Sequence, residues 1–160
     1  MVDILKVGMA DLKVTKAPNR LLTSGLGSCI GICLWDSVAK VAGMAHIMLP
    51  NSKQAKNPTN IAKFADTALP ELIRQMLLLG ACKSRLVAKI AGGAQMFAFA
   101  STNEVMRVGD RNIEAVVAGL QELKIPLLVN ETGGNYGRTI EFCASTGELM
   151  IRTIKCNNVL

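Results

Sequence analysis

Apolar residues along this chain come in short runs with two different periods. Cys29–Trp35 and Val41–Leu49 are dense in Ile, Leu, Val and Met and are separated only by Asp36-Ser37-Val38-Ala39-Lys40, the pattern of a β-hairpin. Pro50–Asn60 is a polar loop. Beyond it Ile61, Phe64, Ala65, Ala68, Leu69, Leu72, Ile73, Met76 and Leu77 recur at three- and four-residue steps before Gly80, which predicts one helical face. Pro70 lies inside that pattern, so the helix either kinks there or restarts with Pro70 at its first position. Arg85–Ala91 reads as a buried strand closed by Gly92-Gly93, whereas Ala94–Asn103 has no clear period. Ile113, Val116, Val117 and Leu120 predict a second helix, capped by Asp110 or Asn112 and ending near Lys124. Leu127–Asn130 is a short strand. After the turn Thr132–Gly137, Thr139–Cys143 and Leu149–Ile154 flank Ser145-Thr146-Gly147 as a second hairpin. Strands outnumber helices and most are joined by loops too short for crossovers. The expected class is therefore α+β, with largely antiparallel stacked β-sheets and flanking helices.

Length and composition narrow the classes of function. At 160 residues, half of them hydrophobic, the chain is expected to form a single domain over 1–160, burying roughly 70% of its unfolded surface. The longest charge-free stretch, Leu21–Trp35, has 15 residues, short of the ~20 a spanning helix needs. Met1–Lys6 shows no export signal, so a cytoplasmic location without membrane insertion is expected. The net charge is +6, but the 18 Lys and Arg are scattered and the chain has one Trp, one Tyr and four Phe, which argues against nucleic acid. Five cysteines at irregular spacing do not form a secreted disulfide framework, and no second Cys or His pair completes a zinc site around Cys29 and Cys33. No metal or cofactor is expected.

Two segments could carry chemistry. In Gly25-Leu26-Gly27-Ser28-Cys29 a thiol stands where glycine-rich chain enters a strand. The amides of Ser28 and Cys29 could there point at a substrate oxygen, although the same residues also describe an ordinary turn. His46, the only histidine, sits on the apolar segment Ala45–Pro50, where a hydrogen-bonded core role competes with that of a base. The hairpin brings the two together. If Trp35 faces Lys40, Cys29 lies directly across from His46; if Ser37 faces Lys40, they are diagonal neighbours on one face. A one-residue slip would separate them. A thiol beside an imidazole suits a Cys-His hydrolase, with Thr23 the nearest upstream group to orient the ring, through its hydroxyl or its carbonyl. The spacing of Cys29 and Cys33 is not that of a redox pair, Trp35 rules out a cysteine-phosphatase loop, and Gly133–Arg138 lacks the Gly-Lys-Ser/Thr of a phosphate cradle.

These segments, together with Lys63–Ala68, Lys89–Ala94, Arg111–Val116 and Thr132–Asn135, occur in an order that resembles the CheD family of chemoreceptor glutamine deamidases. The resemblance implies Cys29 as nucleophile, His46 as base and Thr23 as its support, and a fold akin to the catalytic domain of cytotoxic necrotizing factor. It also implies chemoreceptor cytoplasmic helices as substrate and the phosphatase CheC as a partner. A binding role without turnover and receptor methyl-ester hydrolysis are its alternatives. Ser24 and Phe64 depart from the family pattern, and neither Phe97–Val108 nor the tail after Lys155 matches any family motif.

Overall fold

The computed structural model describes residues 1–96, 107–154 and 157–160. The unassigned stretch from 97 on and Cys156 lie outside them. Among the described residues ten strands form two sheets: β1 (Ile4–Lys6), β2 (Asp11–Lys16), β3 (Arg20–Leu26), β4 (Ile30–Asp36), β5 (Val41–Ile47), β6 (Leu86–Gly92), β7 (Leu127–Thr132), β8 (Arg138–Cys143), β9 (Leu149–Arg152) and β10 (Asn157–Val159). One sheet has the order β1-β3-β8-β9-β10 and the other β2-β5-β4-β6-β7. Of these strand pairs β1–β3 and β6–β7 are parallel and the others antiparallel, so the α+β, largely antiparallel class holds. Helices α1 (Ala65–Leu78) and α2 (Val108–Glu122) cover the outer face of the second sheet.

Two apolar layers result. Between helices and sheet lie Ile30, Ile32, Leu34, Ile47, Leu69, Leu72, Met76, Val116 and Leu120; between the sheets lie Leu21, Leu26, Cys33, Met44, Ile140, Phe142 and Ile151. β4 and β5 are central and buried on both faces, which is why their sequences run nearly continuously apolar instead of alternating.

The structure refines several expectations. Pro70 stands inside a single helix, which continues through it without the hydrogen bond an amide there would give to the Asp66 carbonyl, and Ile61 and Phe64 precede that helix, in and just after a short 3-10 turn. α2 begins at Val108 with Arg107 at the cap position and no side-chain cap. Neither Asp110 nor Asn112 caps it, and Asn112 is fully buried. β1, β2 and β3 carry no strong strand signal: β2 is half-exposed with charged residues at both ends, and β3 contains a serine-glycine irregularity.

Candidate active site

The chain crosses from one sheet to the other through Gly27-Ser28-Cys29, the bend between β3 and β4. On β3 the register shifts between Thr23 and Leu26, where Gly25 has a φ of +72°. This bulge lets Thr23 and Leu26, three residues apart, both bury into the inter-sheet layer. In the β4–β5 ribbon Ile30 pairs with Ile47, Gly31 with His46 and Asp36 with Val41. The register is the one in which Ser37 would face Lys40. It sets Cys29, two residues before Gly31, diagonal to His46 on the face turned toward β3.

His46 is completely buried, and its Nδ1 lies 2.7 Å from Thr23 Oγ1. The Thr23 hydroxyl donates its hydrogen to the Val7 carbonyl at 2.6 Å. A hydroxyl has one hydrogen to give, so Nδ1 must carry the ring proton and Thr23 Oγ1 accepts it. Nε2 is then unprotonated, and it is buried with no hydrogen-bond partner among the described residues. A buried acceptor in that state is costly in a core, and it is what a proton acceptor requires. Val7 is itself held by a hydrogen bond from its N–H to the Leu22 carbonyl, 2.7 Å.

Cys29 is 7% exposed. Burial pushes its thiol above the ordinary cysteine value, opposed by a hydrogen bond from its own backbone N–H. Burial also holds His46 below the ordinary imidazole value. Both directions favour a neutral thiol and a neutral imidazole at rest over a thiolate–imidazolium pair. Cys33 lies in the same layer, but complete burial pushes its thiol far up, leaving it inert.

All three carbonyls of the bend are occupied. The Gly27 oxygen accepts from Ala94 N–H at 2.8 Å and the Cys29 oxygen from Gly93 N–H at 2.8 Å. The Ser28 oxygen accepts from Asn112 Nδ2 at 2.9 Å. By contrast, neither the Ser28 nor the Cys29 N–H is given to a backbone carbonyl among the described residues. Gly92 has to be glycine, since its φ is +117° and a Cβ would collide with the Cys29 carbonyl oxygen. Arg138, 3% exposed, braces this wall by donating to the Gly92 and Gly133 carbonyls at 3.2 and 2.9 Å. Gly133–Arg138 is thus a turn with a structural arginine.

Sequence reasoning singled out Cys29, His46, Thr23 and Ser28, but missed the Val7 carbonyl and the Gly92–Ala94 wall, and took Asn112 only for a possible cap. One signal was available: Asn112 falls four residues before Val116 and eight before Leu120, a polar residue on an apolar stripe. Among the described residues no three His, Cys, Asp or Glu side chains gather as metal ligands, and no helix is long and apolar enough to cross a membrane.

Residues 48–153 match a family model described as CheD chemotactic sensory transduction. The chain is 57% identical over 154 residues to the probable chemoreceptor glutamine deamidase CheD of Lachnoclostridium phytofermentans. It is 58% identical over 154 residues to the protein of the same name in Desulfitobacterium hafniense and 56% identical over 155 residues to the chemoreceptor glutamine deamidase CheD of Halalkalibacterium halodurans. Each match spans 96% of both chains. With a family model covering most of its length and relatives this similar from end to end, the chain belongs to the CheD family.

Proposed function

We propose that residues 1–160 act as one cytoplasmic protein-glutamine deamidase domain, which converts glutamines on chemoreceptor signalling helices to glutamate through Cys29, His46 and Thr23. The observation that carries the reading is the Val7–Thr23–His46 chain of hydrogen bonds, which leaves Nε2 as a free base on the face shared with Cys29. The names borne by relatives supply the substrate class.

In this reading His46 Nε2 takes the Cys29 proton as Sγ attacks the glutamine carboxamide carbon. Developing negative charge on the amide oxygen is met by the Ser28 and Cys29 N–H groups. The imidazolium, its Nδ1–H held by Thr23, returns its proton to the departing nitrogen, and ammonia leaves a thioester on Cys29. Water then gives a proton to Nε2 and attacks the thioester carbon. Collapse expels the sulfur, which regains its proton from His46, and glutamate remains on the receptor.

The test is mass spectrometry of receptor co-expressed with wild type or Cys29→Ala. Wild type adds about 1 Da per site, the amide-to-acid exchange, and Cys29→Ala adds none. Retained conversion by Cys29→Ala rejects the assignment. The same spectra separate the two alternatives: docking to CheC or receptor without turnover leaves the mass unchanged, and methyl-ester hydrolysis removes about 14 Da, one CH2.

A further inference from the structure

Asn112 is a fully buried amide on α2 whose Nδ2 donates to two carbonyls, Ser28 at 2.9 Å and Met48 at 3.0 Å. One belongs to the nucleophile bend and the other follows the strand that carries His46. Both neighbours are acceptors, which fixes the orientation of the amide and leaves Oδ1 buried with no partner among the described residues. A core designed for stability alone would fill this position with an aliphatic side chain, as it does at Val116 and Leu120.

The helix reaches the bend because two glycines let it. A Cβ on Gly109 would stand 2.6 Å from the Ala94 oxygen, and one on Gly93 would stand 2.5 Å from Ile113 Cγ1. The first turns of α2 therefore lie directly against the Gly93–Ala94 backbone, and Asn112 follows one turn later.

The Ser28 carbonyl and the Cys29 N–H share one peptide plane and point in opposite directions. Holding the oxygen therefore aims the hydrogen, and a hydrogen bond to the oxygen also strengthens the N–H as a donor. That N–H is given to no backbone carbonyl among the described residues, so it is available to the reacting atoms. We infer that Asn112 is the positioning residue of the oxyanion site: by anchoring the Ser28 carbonyl against Met48, it aims the Cys29 N–H at the oxygen on which negative charge develops. The inference rests on the deamidase reading above and adds a residue that acts through the backbone.

Alkylation of Cys29 by iodoacetamide uses the same sulfur but forms no oxyanion, whereas deamidation needs both. Asn112→Ala is therefore expected to lower kcat about 10²-fold, with KM changed less than about twofold, while the alkylation rate changes less than about threefold. A parallel fall in both rates would mean that Asn112 merely holds the nucleophile in place and would overturn the inference, as would an unchanged kcat. If Asn112→Ala does not fold, Asn112→Leu carries the same comparison, because it is close in volume and has no hydrogen to give to either carbonyl, and wild-type kcat in it would be equally fatal. Turnover by Cys29→Ala would instead remove the deamidase reading itself, so the two failures are distinguishable.

Discussion

The β4–β5 ribbon buries a polar group near each end, and the two are treated in opposite ways. At the turn, Asp36 is completely buried and saturated: its carboxylate accepts from the N–H groups of Val38, Ala39 and Cys82 at 2.8–3.0 Å and from the Arg85 guanidinium at 2.9 Å. Burial alone would raise its pKa, but the Arg85 guanidinium and these amides overcome that and hold it well below the ordinary carboxylate range. At the open end, His46 is equally buried, yet its Nε2 has no hydrogen-bond partner among the described residues. The two sites share a strand pair and a degree of burial. They differ in whether hydrogen-bonding capacity is exhausted, and under the proposed function that difference separates a structural polar group from one kept ready to react.

The comparison breaks if the ends can exchange roles. His46→Leu is expected to lower kcat by about 10⁴-fold or more while changing stability by about 1 kcal/mol, since an apolar side chain replaces an unsatisfied one. Asp36→Ala should do the reverse. It strands three amides, with a loss of about 3–5 kcal/mol in denaturant unfolding, yet kcat per folded molecule stays within about twofold. A large kcat loss in Asp36→Ala at native stability would collapse the distinction.

A smaller effect sharpens it at the His46 end. Thr23→Val keeps the shape but removes the oxygen that accepts from Nδ1–H, so the ring loses its fixed tautomer. A fall of about 10²-fold in kcat is expected, with recovery in Thr23→Ser. Equal activity in Thr23→Val would show that the ring needs no hydroxyl partner.

The smallest effect is in pH dependence. In the proposed reaction His46 must be neutral to act as base, and burial depresses its pKa, so the acid limb of kcat/KM should fall below the ordinary 6.5. Cys29 alkylation should still be rising above pH 9, because burial raises the thiol from its ordinary 9.0. Stability follows the same signs. For both His46 and Asp36 the folded pKa is depressed, so the unfolded chain binds protons first. The His46 contribution is complete above 6.5 and declines as pH falls below it; the Asp36 contribution is complete above 3.8 and declines below that. A thiolate titrating near neutrality would point instead to a resting ion pair.

How much of this was legible in the sequence follows from where the information resides. The β4–β5 hairpin was readable because a strand buried on both faces is apolar at every position, and its turn restricted Cys29 and His46 to one face in either register considered. β1–β3 escaped notice because half-exposed strands beside an irregularity lack a clean period. Thr23 and His46 lie 23 residues apart in different sheets, a pairing that no local spacing encodes; family resemblance supplied it. Asn112 bonds to groups 84 and 64 residues away, so only the packed structure reveals why a polar residue interrupts that helical stripe.

The saturated carbonyls of the Gly27–Cys29 bend have an energetic corollary. In water, stabilising a newly formed anion requires solvent dipoles to turn toward it, and that reorientation is a large part of the barrier. Here the dipoles of two consecutive amide units are locked from behind by Ala94 and Asn112, so for the proposed deamidation the work of orienting them was completed when the chain folded.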